Sequence, residues 1–200
     1  MRIAVLNYGV GNLYSVKRSF ERAGCTVNIC SAPGELDGSD AVVLPGVGNF
    51  KTGAENIQRV REALLDIIGS HKPVLGICLG MQLLFEESDE SPGSGLGVFS
   101  GRVIRLPKNV RAPHMGWNNL NIIRSSKILD GIGGCDYFYF AHTYYALPVD
   151  RGIVAAETEY GVKMPSAVAY RNIFGVQFHP EKSGNPGKRV IENFVEIAKR

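Results

Sequence analysis

The segment Gly76-Ile77-Cys78-Leu79-Gly80 places a cysteine between two glycines, directly after an apolar run that is typical of a buried strand. The spacing Gly-x-nucleophile-x-Gly is that of a nucleophile elbow, a strand-to-helix turn that leaves no room for a Cβ at either glycine. Such a turn points the sulfur outward at a helix N-terminus, where unpaired N–H groups favour a thiolate. The sequence therefore predicts Cys78 as a catalytic nucleophile. The alternative is a buried cysteine between two packing glycines.

A thiolate nucleophile needs a base and a group that orients the base. His179 follows the strand candidate at 173–177, and Glu181 lies two positions further on. An extended backbone would turn these two side chains the same way, and a carboxylate there can fix the imidazole tautomer and stabilise the imidazolium. We expect Cys78, His179 and Glu181 to form a catalytic triad, although His-Pro-Glu taken alone is more often a surface turn.

Acyl-transfer chemistry also requires hydrogen-bond donors for an oxyanion. The N–H of Leu79, next after the nucleophile, is the first candidate. The second is the N–H of Val47 in the loop 45–48, because Gly46 and Gly48 would let the intervening peptide flip and aim its N–H at the site. We expect these four residues to form the oxyanion hole. The alternative is a glycine turn that only ends a strand.

Alternating strands and helices must position these groups in the first half of the chain. Apolar runs predict strands at 3–6, 26–30, 41–44 and 73–77. Helical spacing predicts helices at 13–23, capped by Asn12 after a turn at 7–12, at 57–68, and at 81–87 after the elbow. This β-α-β-β-α-β order is typical of an open, mostly parallel sheet with helices on both faces.

The second half of the chain predicts short strands and one closing helix. The strand candidates lie at 103–106, 120–123, 137–141, 153–156, 167–170 and 173–177. Apolar residues between 190 and 198 then recur on one helical face. We expect an antiparallel β extension of the parallel sheet. No linker-like shift in composition occurs, so we expect a single domain over residues 1–200.

The composition excludes several classes of protein. With 44% hydrophobic and 20% charged residues, the 200-residue chain can bury one sizeable core, which argues against disorder. Its formal net charge of +3 is too small to indicate a nucleic-acid or membrane partner. No apolar run approaches the roughly 18 residues of a membrane span, and no signal peptide is apparent. The four cysteines lack metal-ligand spacing, so we expect reduced thiols in a cytoplasmic protein with no metal and no cofactor.

Taken together, the motifs resemble those of the triad-type, class I glutamine amidotransferases. The cysteine elbow and His-Pro-Glu are general to that family. Within it, the chain is most similar to the glutaminase subunits of imidazole glycerol phosphate synthase, which serve histidine biosynthesis, and Pro113-His114-Met115-Gly116-Trp117-Asn118 is the more specific marker. Further matching segments lie at 7–12, 45–48, 78–85, 140–144 and 178–183.

The resemblance implies a flavodoxin-like fold and the hydrolysis of glutamine. Cys78 would attack the side-chain amide of glutamine, His179 would protonate the departing ammonia, and Glu181 would orient His179. The family positions that hold the substrate fall on Gln82, Thr143 and Tyr144.

The resemblance also implies a partner. Ammonia would pass to a separate (β/α)₈-barrel cyclase subunit, which makes imidazole glycerol phosphate and an aminoimidazole carboxamide ribotide. The glutaminase would be nearly idle until that partner binds its own ligand. The family positions at the interface fall on Asn12, Trp117, Tyr139 and Lys182.

Two other functions remain open at this point. One is a stand-alone γ-glutamyl or peptide hydrolase of the same architecture, which would be active without a partner. The other is a non-catalytic regulatory subunit that keeps the fold. The complete set of Cys78, His179 and Glu181 counts against the second of these.

Overall fold

The computed structural model describes residues 1–9 and 11–199, so Val10 of the predicted turn at 7–12 lies outside the described residues. The helices are α1 (Leu13–Arg22), α2 (Phe50–Ile57), α3 (Arg61–Gly69), α4 (Leu79–Gln82) and α5 (Gly184–Ala198). The strands are β1 (Arg2–Leu6), β2 (Thr26–Cys30), β3 (Ala41–Leu44), β4 (Val74–Ile77), β5 (Glu87–Ser88), β6 (Gly101–Arg105), β7 (His114–Asn119), β8 (Asn121–Ile122), β9 (Tyr137–His142), β10 (Tyr144–Pro148), β11 (Val154–Glu159), β12 (Lys163–Tyr170) and β13 (Ile173–Val176).

An eight-stranded sheet in the order β2-β1-β3-β4-β13-β12-β11-β8 forms the centre of the molecule. The first five strands are mutually parallel, and the last three continue the sheet in antiparallel pairing. Two small sheets, β10-β6-β5 and β7-β9, are attached to it. The predicted open sheet with an antiparallel extension is confirmed, and β13 belongs to its parallel part.

Helices cover both faces of the parallel strands. Successive residues of β1 point to opposite faces. Val5 packs in one core with Phe20 of α1 and Phe194 of α5, whereas Leu6 packs in another with Leu64 of α3. Both faces are therefore buried, which is why the inner parallel strands β1, β3, β4 and β13 are nearly continuous apolar runs. Across the described ranges, none of the helices combines the length and the apolar character needed to cross a membrane.

The prediction of a single helix over 57–68 is wrong. Two helices, α2 and α3, meet there at the 3-10 turn Gln58–Val60, and α2 begins seven residues before the predicted start. Ile57, Val60 and Leu64 are nevertheless all buried in the same core. Apolar spacing therefore continues through the break, and periodicity alone cannot reveal it.

The helix after the elbow is shorter than the predicted 81–87. It ends at Gln82, and the carbonyls of Leu83, Leu84 and Phe85 accept hydrogen bonds from the backbone of residues 96–99. The carbonyls that would accept from the next helical turn are thus satisfied by residues 96–99, and α4 stops. The helix-dipole contribution expected at the elbow is correspondingly small.

Three strands were not predicted: the two-residue β5 and two longer strands, β7 and β10. In β7 only the first residue is buried, so its sequence shows no alternation of apolar and polar positions. The other, β10, ends in a proline and pairs along β6 in a small sheet. Both strands flank the site described next, where polar contacts matter more than apolar pattern.

Candidate active site

The nucleophile elbow predicted at residues 76–80 is present in the structure. Cys78 follows β4 and precedes α4, with φ +53° and ψ −106°, a left-handed conformation that non-glycine residues rarely adopt. A Cβ on Gly76 would lie 2.6 Å from the carbonyl oxygen of Gly80, and a Cβ on Gly80 would overlap the carbonyl oxygen of Leu44. Close backbone approach therefore requires both glycines, and it holds Cys78 in its strained turn.

We expect the substitution Gly80→Ala to destabilise the protein by about 3 kcal/mol or more, because the added methyl group must force β3 away from the elbow. Gly69→Ala is the matched control, since a Cβ there meets nothing within 4 Å and alanine favours a helix. Urea unfolding of the two variants measures both effects. Equal stabilities would show that the elbow yields easily.

His179 and Glu181 form the predicted pair. His179 Nδ1 lies 2.9 Å from Glu181 Oε1, and the two side chains are only 1% and 2% exposed. The reason differs from the one expected, because Glu181 lies in the 3-10 turn Pro180–Lys182 and not in an extended segment. The turn folds the carboxylate back beneath the imidazole. The His179 imidazole is thereby held with its Nδ1–H directed at the Glu181 carboxylate.

The electrostatic environment favours a charged imidazole. Burial alone would lower the pKa of His179, but the interactions of the imidazolium with Cys78 and Glu181 raise it to about 10. Among the described residues, His179 Nε2 has no partner of standard hydrogen-bond geometry. This nitrogen is therefore available to exchange a proton with a group bound at the sulfur.

The two predicted oxyanion donors are not available in this structure. The Leu79 N–H donates to the carbonyl of Gly46 at 3.3 Å. Because a trans peptide is planar, this orientation turns the N–H of Val47 to the opposite side. A Cβ on Gly46 would lie 2.6 Å from the Leu79 Cβ, so the loop approaches the elbow as closely as only glycine permits. The structure thus shows the Gly46–Val47 peptide with its carbonyl directed at the elbow.

A buried tyrosine anchors this loop. The Tyr8 hydroxyl donates to the carbonyl of Pro45, and Gly11 lies close against the backbone of Gly46. Burial, assisted by the charge at Cys78, raises the pKa of the Tyr8 phenol, which keeps it a donor. The loop 45–48 is therefore held in place by Tyr8 and Gly11, two residues of the predicted turn at 7–12.

A cavity of about 210 Å³ opens at Cys78. It brings together most of the predicted oxyanion and substrate residues, and its lining comprises Val47, Gly48, Cys78, Leu79, Gln82, Glu90, Pro113, Met115, Ala141, His142, Thr143 and Tyr144. A larger cavity of about 480 Å³ lies beyond Glu181, between α1 and α5, and does not reach Cys78. Within residues 1–9 and 11–199, no group of three or more His, Cys, Asp or Glu side chains is placed to hold a metal ion.

The model of the family described as glutamine amidotransferase class-I matches residues 4–198. The chain belongs to this family. It is 49% identical to the imidazole glycerol phosphate synthase subunit HisH of Methanothermobacter thermautotrophicus, with 98% of each chain covered. It is also 47% identical to the subunit of the same name of Pyrococcus furiosus, over 98% of this chain and 99% of the relative.

The fold of this amidotransferase recurs among solved structures. The structure of PurLQS from Thermotoga maritima matches with a TM-score of 0.81 at 18% sequence identity, covering 98% of each chain. At that level of identity the similarity concerns the fold alone. It agrees with the eight-stranded mixed sheet and the helices on both of its faces.

Several residues of the amidotransferase site were missed by sequence reasoning. Gln177 is fully buried, and its Nε2 donates to the Cys78 sulfur at 3.6 Å. Its Oε1 accepts a hydrogen bond of 3.1 Å from Gln82 Nε2. Glu90 lines the cavity and accepts from the N–H of Phe50 at 2.7 Å, at the start of α2. Only Gln177 had a local signal, as a polar residue at the end of the apolar strand candidate 173–177, directly after β13.

Three of the four predicted interface residues form a cluster on the amidotransferase surface. Trp117 lies opposite Tyr139 in the β7–β9 pair, with ring centroids 5.9 Å apart, and the Lys182 ammonium lies 5.6 Å from the Tyr139 ring centroid. Trp117 is 56% exposed. The structure gives Asn12 a local role instead, as the N-cap of α1 whose side chain accepts from the N–H of Ser15.

Proposed function

We propose that this amidotransferase hydrolyses glutamine to glutamate and ammonia as the glutaminase subunit of an imidazole glycerol phosphate synthase, with residues 1–200 acting as one catalytic domain. The observation that carries the proposal is the strained Cys78 elbow, which opens into a cavity beside the buried His179–Glu181 pair. The relatives named HisH, similar over nearly their whole length, support the biosynthetic assignment.

Acylation begins at the sulfur. The Cys78 thiolate attacks the side-chain amide carbon of glutamine, and the carbonyl oxygen becomes an oxyanion. His179, charged because of its raised pKa, then gives the Nε2 proton to the leaving nitrogen, and ammonia departs as the C–N bond breaks. Glu181 holds the imidazole and balances its charge throughout. The product is a glutamyl thioester on Cys78.

Deacylation reverses these roles. Neutral His179 takes a proton from a water molecule, whose oxygen attacks the thioester carbonyl. Collapse of the second tetrahedral intermediate breaks the C–S bond and frees the Cys78 thiolate, and the new side-chain carboxylic acid loses its proton to solvent to give glutamate. The proton taken from water remains on His179, so the thiolate–imidazolium pair is restored for the next substrate.

The cavity wall supports the proposed substrate residues. Gln82 Nε2 donates to the Tyr144 carbonyl at 2.8 Å, which joins α4 to the segment Thr143–Tyr144 across the cavity. We assign the recognition of the glutamine backbone to this wall, because it lies beside Cys78 and offers backbone donors and acceptors.

Oxyanion stabilisation requires a change at Gly46–Val47. Flipping this one peptide would release the Leu79 N–H from the Gly46 carbonyl and turn the Val47 N–H toward the site. Both donors would appear together, and each is worth roughly 10²–10³ in rate. We propose that the observed orientation is the resting, nearly inactive state, with Gly46, Val47, Gly48 and Leu79 forming the active oxyanion hole.

The partner in this proposal is a (β/α)₈-barrel cyclase subunit. It would bind at the cluster of Trp117, Tyr139 and Lys182, where an exposed indole, a half-buried tyrosine ring and a cation lie together. Asn12 would join from the loop that packs against Pro45 and Gly46. A partner bound there would contact residues beside both the loop 45–48 and the catalytic histidine, since Tyr139 is adjacent to the His179 ring.

The proposal is tested by measuring glutamate release from glutamine by the purified chain, alone and with the barrel subunit and its ribulosyl ligand. We expect very slow turnover alone and an increase of about 10⁴-fold or more with both, as two oxyanion donors are gained. High activity without the partner would instead identify a stand-alone hydrolase. No activity in either setting would favour a non-catalytic subunit.

A further inference from the structure

Two histidines that the catalytic triad does not use meet in the interior beside the cavity. His114 opens β7 and His142 closes β9, and the two lie opposite each other in the strand pair. Their Nδ1 and Nε2 atoms, respectively, are 3.1 Å apart, and the residues are 3% and 6% exposed. His142 lines the cavity at Cys78, whereas His114 lies behind it.

The tautomer of His142 follows from its partners. Its Nδ1 lies 2.9 Å from the carbonyl oxygen of Tyr144, and because a carbonyl can only accept, Nδ1 must carry the hydrogen. Burial, together with the neighbouring His114, lowers the pKa of His142 to about 3. The ring is therefore neutral at neutral pH, and its Nε2 is an acceptor.

The tautomer of His114 follows in turn. Facing the bare Nε2 of His142, the Nδ1 of His114 must be the donor. Burial lowers the pKa of His114 to about 4, so this ring is also neutral and its Nε2 accepts from Asn118 Nδ2 at 3.4 Å. Stacking against Tyr160 and Phe140, at centroid distances of 4.0 and 4.7 Å, fixes the plane of the ring.

The hydrogen bonds thus run in one direction, from Asn118 through His114 and His142 to the Tyr144 carbonyl. That carbonyl also accepts from Gln82, which is linked to Cys78 through Gln177. An unbroken, largely buried chain of hydrogen bonds therefore connects the exposed strand β7 to the wall of the cavity and to the nucleophile. Buried networks of this kind hold one geometry when every member is satisfied.

We propose that His114 and His142 are positioning residues, a neutral pair locked in the Nδ1–H tautomer that holds the Tyr144 carbonyl and so preforms the Thr143–Tyr144 wall of the glutamine pocket. A preformed wall lowers the conformational entropy that the Thr143–Tyr144 segment loses when glutamine binds. The inference rests on the proposed function for its consequence, but the tautomeric state of the pair can be measured without any activity.

The tautomers are read from long-range ¹H–¹⁵N spectra of the full chain labelled with ¹⁵N-histidine. We expect His114 and His142 both to show the neutral Nδ1–H pattern at neutral pH. His71→Asn assists the assignment and serves as control, because His71 is exposed and its φ of +62° is one that asparagine tolerates. An Nε2–H tautomer or a charged ring at either position would overturn the proposal.

The consequence for substrate binding is measured by steady-state kinetics of the complex with the barrel subunit. His114→Phe keeps the stacking but removes the hydrogen bond at His142 Nε2, so the His142 ring is held by the Tyr144 carbonyl alone. We expect the KM for glutamine to rise about tenfold with kcat changed less than about twofold, as for the loss of one buried hydrogen bond. His71→Asn should leave both constants unchanged.

Two conservative variants of His142 make the test independent of the folding of His114→Phe. Asparagine places its amide near the Nδ1 position and can still donate to the Tyr144 carbonyl, whereas glutamine places its amide near Nε2 and cannot. We expect the KM of His142→Gln to exceed that of His142→Asn about tenfold, because only the glutamine variant loses the hydrogen bond to the Tyr144 carbonyl. Equal KM values for the two variants would overturn the positioning role. An inactive native complex would contradict the proposed function, while the tautomer measurement would stand.

Discussion

Replacing Cys78 by alanine will reduce glutamine hydrolysis by at least about four orders of magnitude. The reason is that no other group at the elbow can form the acyl intermediate, and the remaining binding interactions supply only a small part of the rate enhancement. The thermal unfolding temperature should change little, because the substitution removes one buried sulfur and leaves the turn glycines in place. Glutamate release in the presence of the activating partner is the measurement.

Cys135→Ala is the matched control for this experiment, since Cys135 is an exposed free thiol away from the elbow. It should hydrolyse glutamine at the native rate. A second readout separates the nucleophile from a structural effect: the complex carrying Cys78→Ala should still make product when ammonium salts replace glutamine. Retention of more than about a tenth of the native glutamine-dependent rate would show that the nucleophile lies elsewhere.

Most of the parallel half of the fold could be predicted because its inner strands are buried on both faces. Such a strand is a short apolar run ended by turn residues, and β1, β3 and β4 have this form, whereas the edge strand β2 has Thr26 and Asn28 exposed. The break between α2 and α3 could not be predicted, because Ile57, Val60 and Leu64 keep helical spacing across it. The strand β7 was missed since most of its side chains face outward.

In the site, likewise, the local motifs could be predicted from the sequence and the long-range contacts could not. The elbow and His-Pro-Glu are local motifs, in which backbone geometry dictates residue type within a few positions. The contacts that complete the site join distant residues: Gln177 is 99 positions from Cys78, and His142 is 28 from His114. No local pattern encodes such pairs. They become apparent only when the main sheet, which contains β4 and β13, and the β7–β9 pair are packed together.

The orientation of the Gly46–Val47 peptide was also beyond sequence reasoning. Glycines 46 and 48 indicate that the peptide can rotate, but they do not select one of its two orientations. The hydrogen bond from Leu79 to the Gly46 carbonyl, the anchoring of Pro45 by Tyr8 and the packing of Gly11 make that selection. These contacts join the loop to two segments that are distant in the sequence, the turn region 7–12 and the elbow.

Val47→Pro will reduce the partner-activated turnover of glutamine by roughly 10²–10³, because proline has no N–H and the flipped peptide then lacks one of its two oxyanion donors. The effect should fall on kcat more than on KM, since the oxyanion exists only after the thiolate has attacked. The turnover of the chain without its partner should change little, because the Val47 N–H already points away from the elbow in the resting orientation.

Val47→Ala is the control that isolates the N–H group. Val47 is 39% exposed, so shortening its side chain removes little packing, and alanine keeps the donor. We expect Val47→Ala to be activated within about threefold of the native protein, which separates loss of the donor from loss of side-chain contacts. If Val47→Pro and Val47→Ala were activated equally, the Val47 N–H would not serve the oxyanion. The Leu79 N–H released from Gly46 would then be the only donor that the peptide flip contributes.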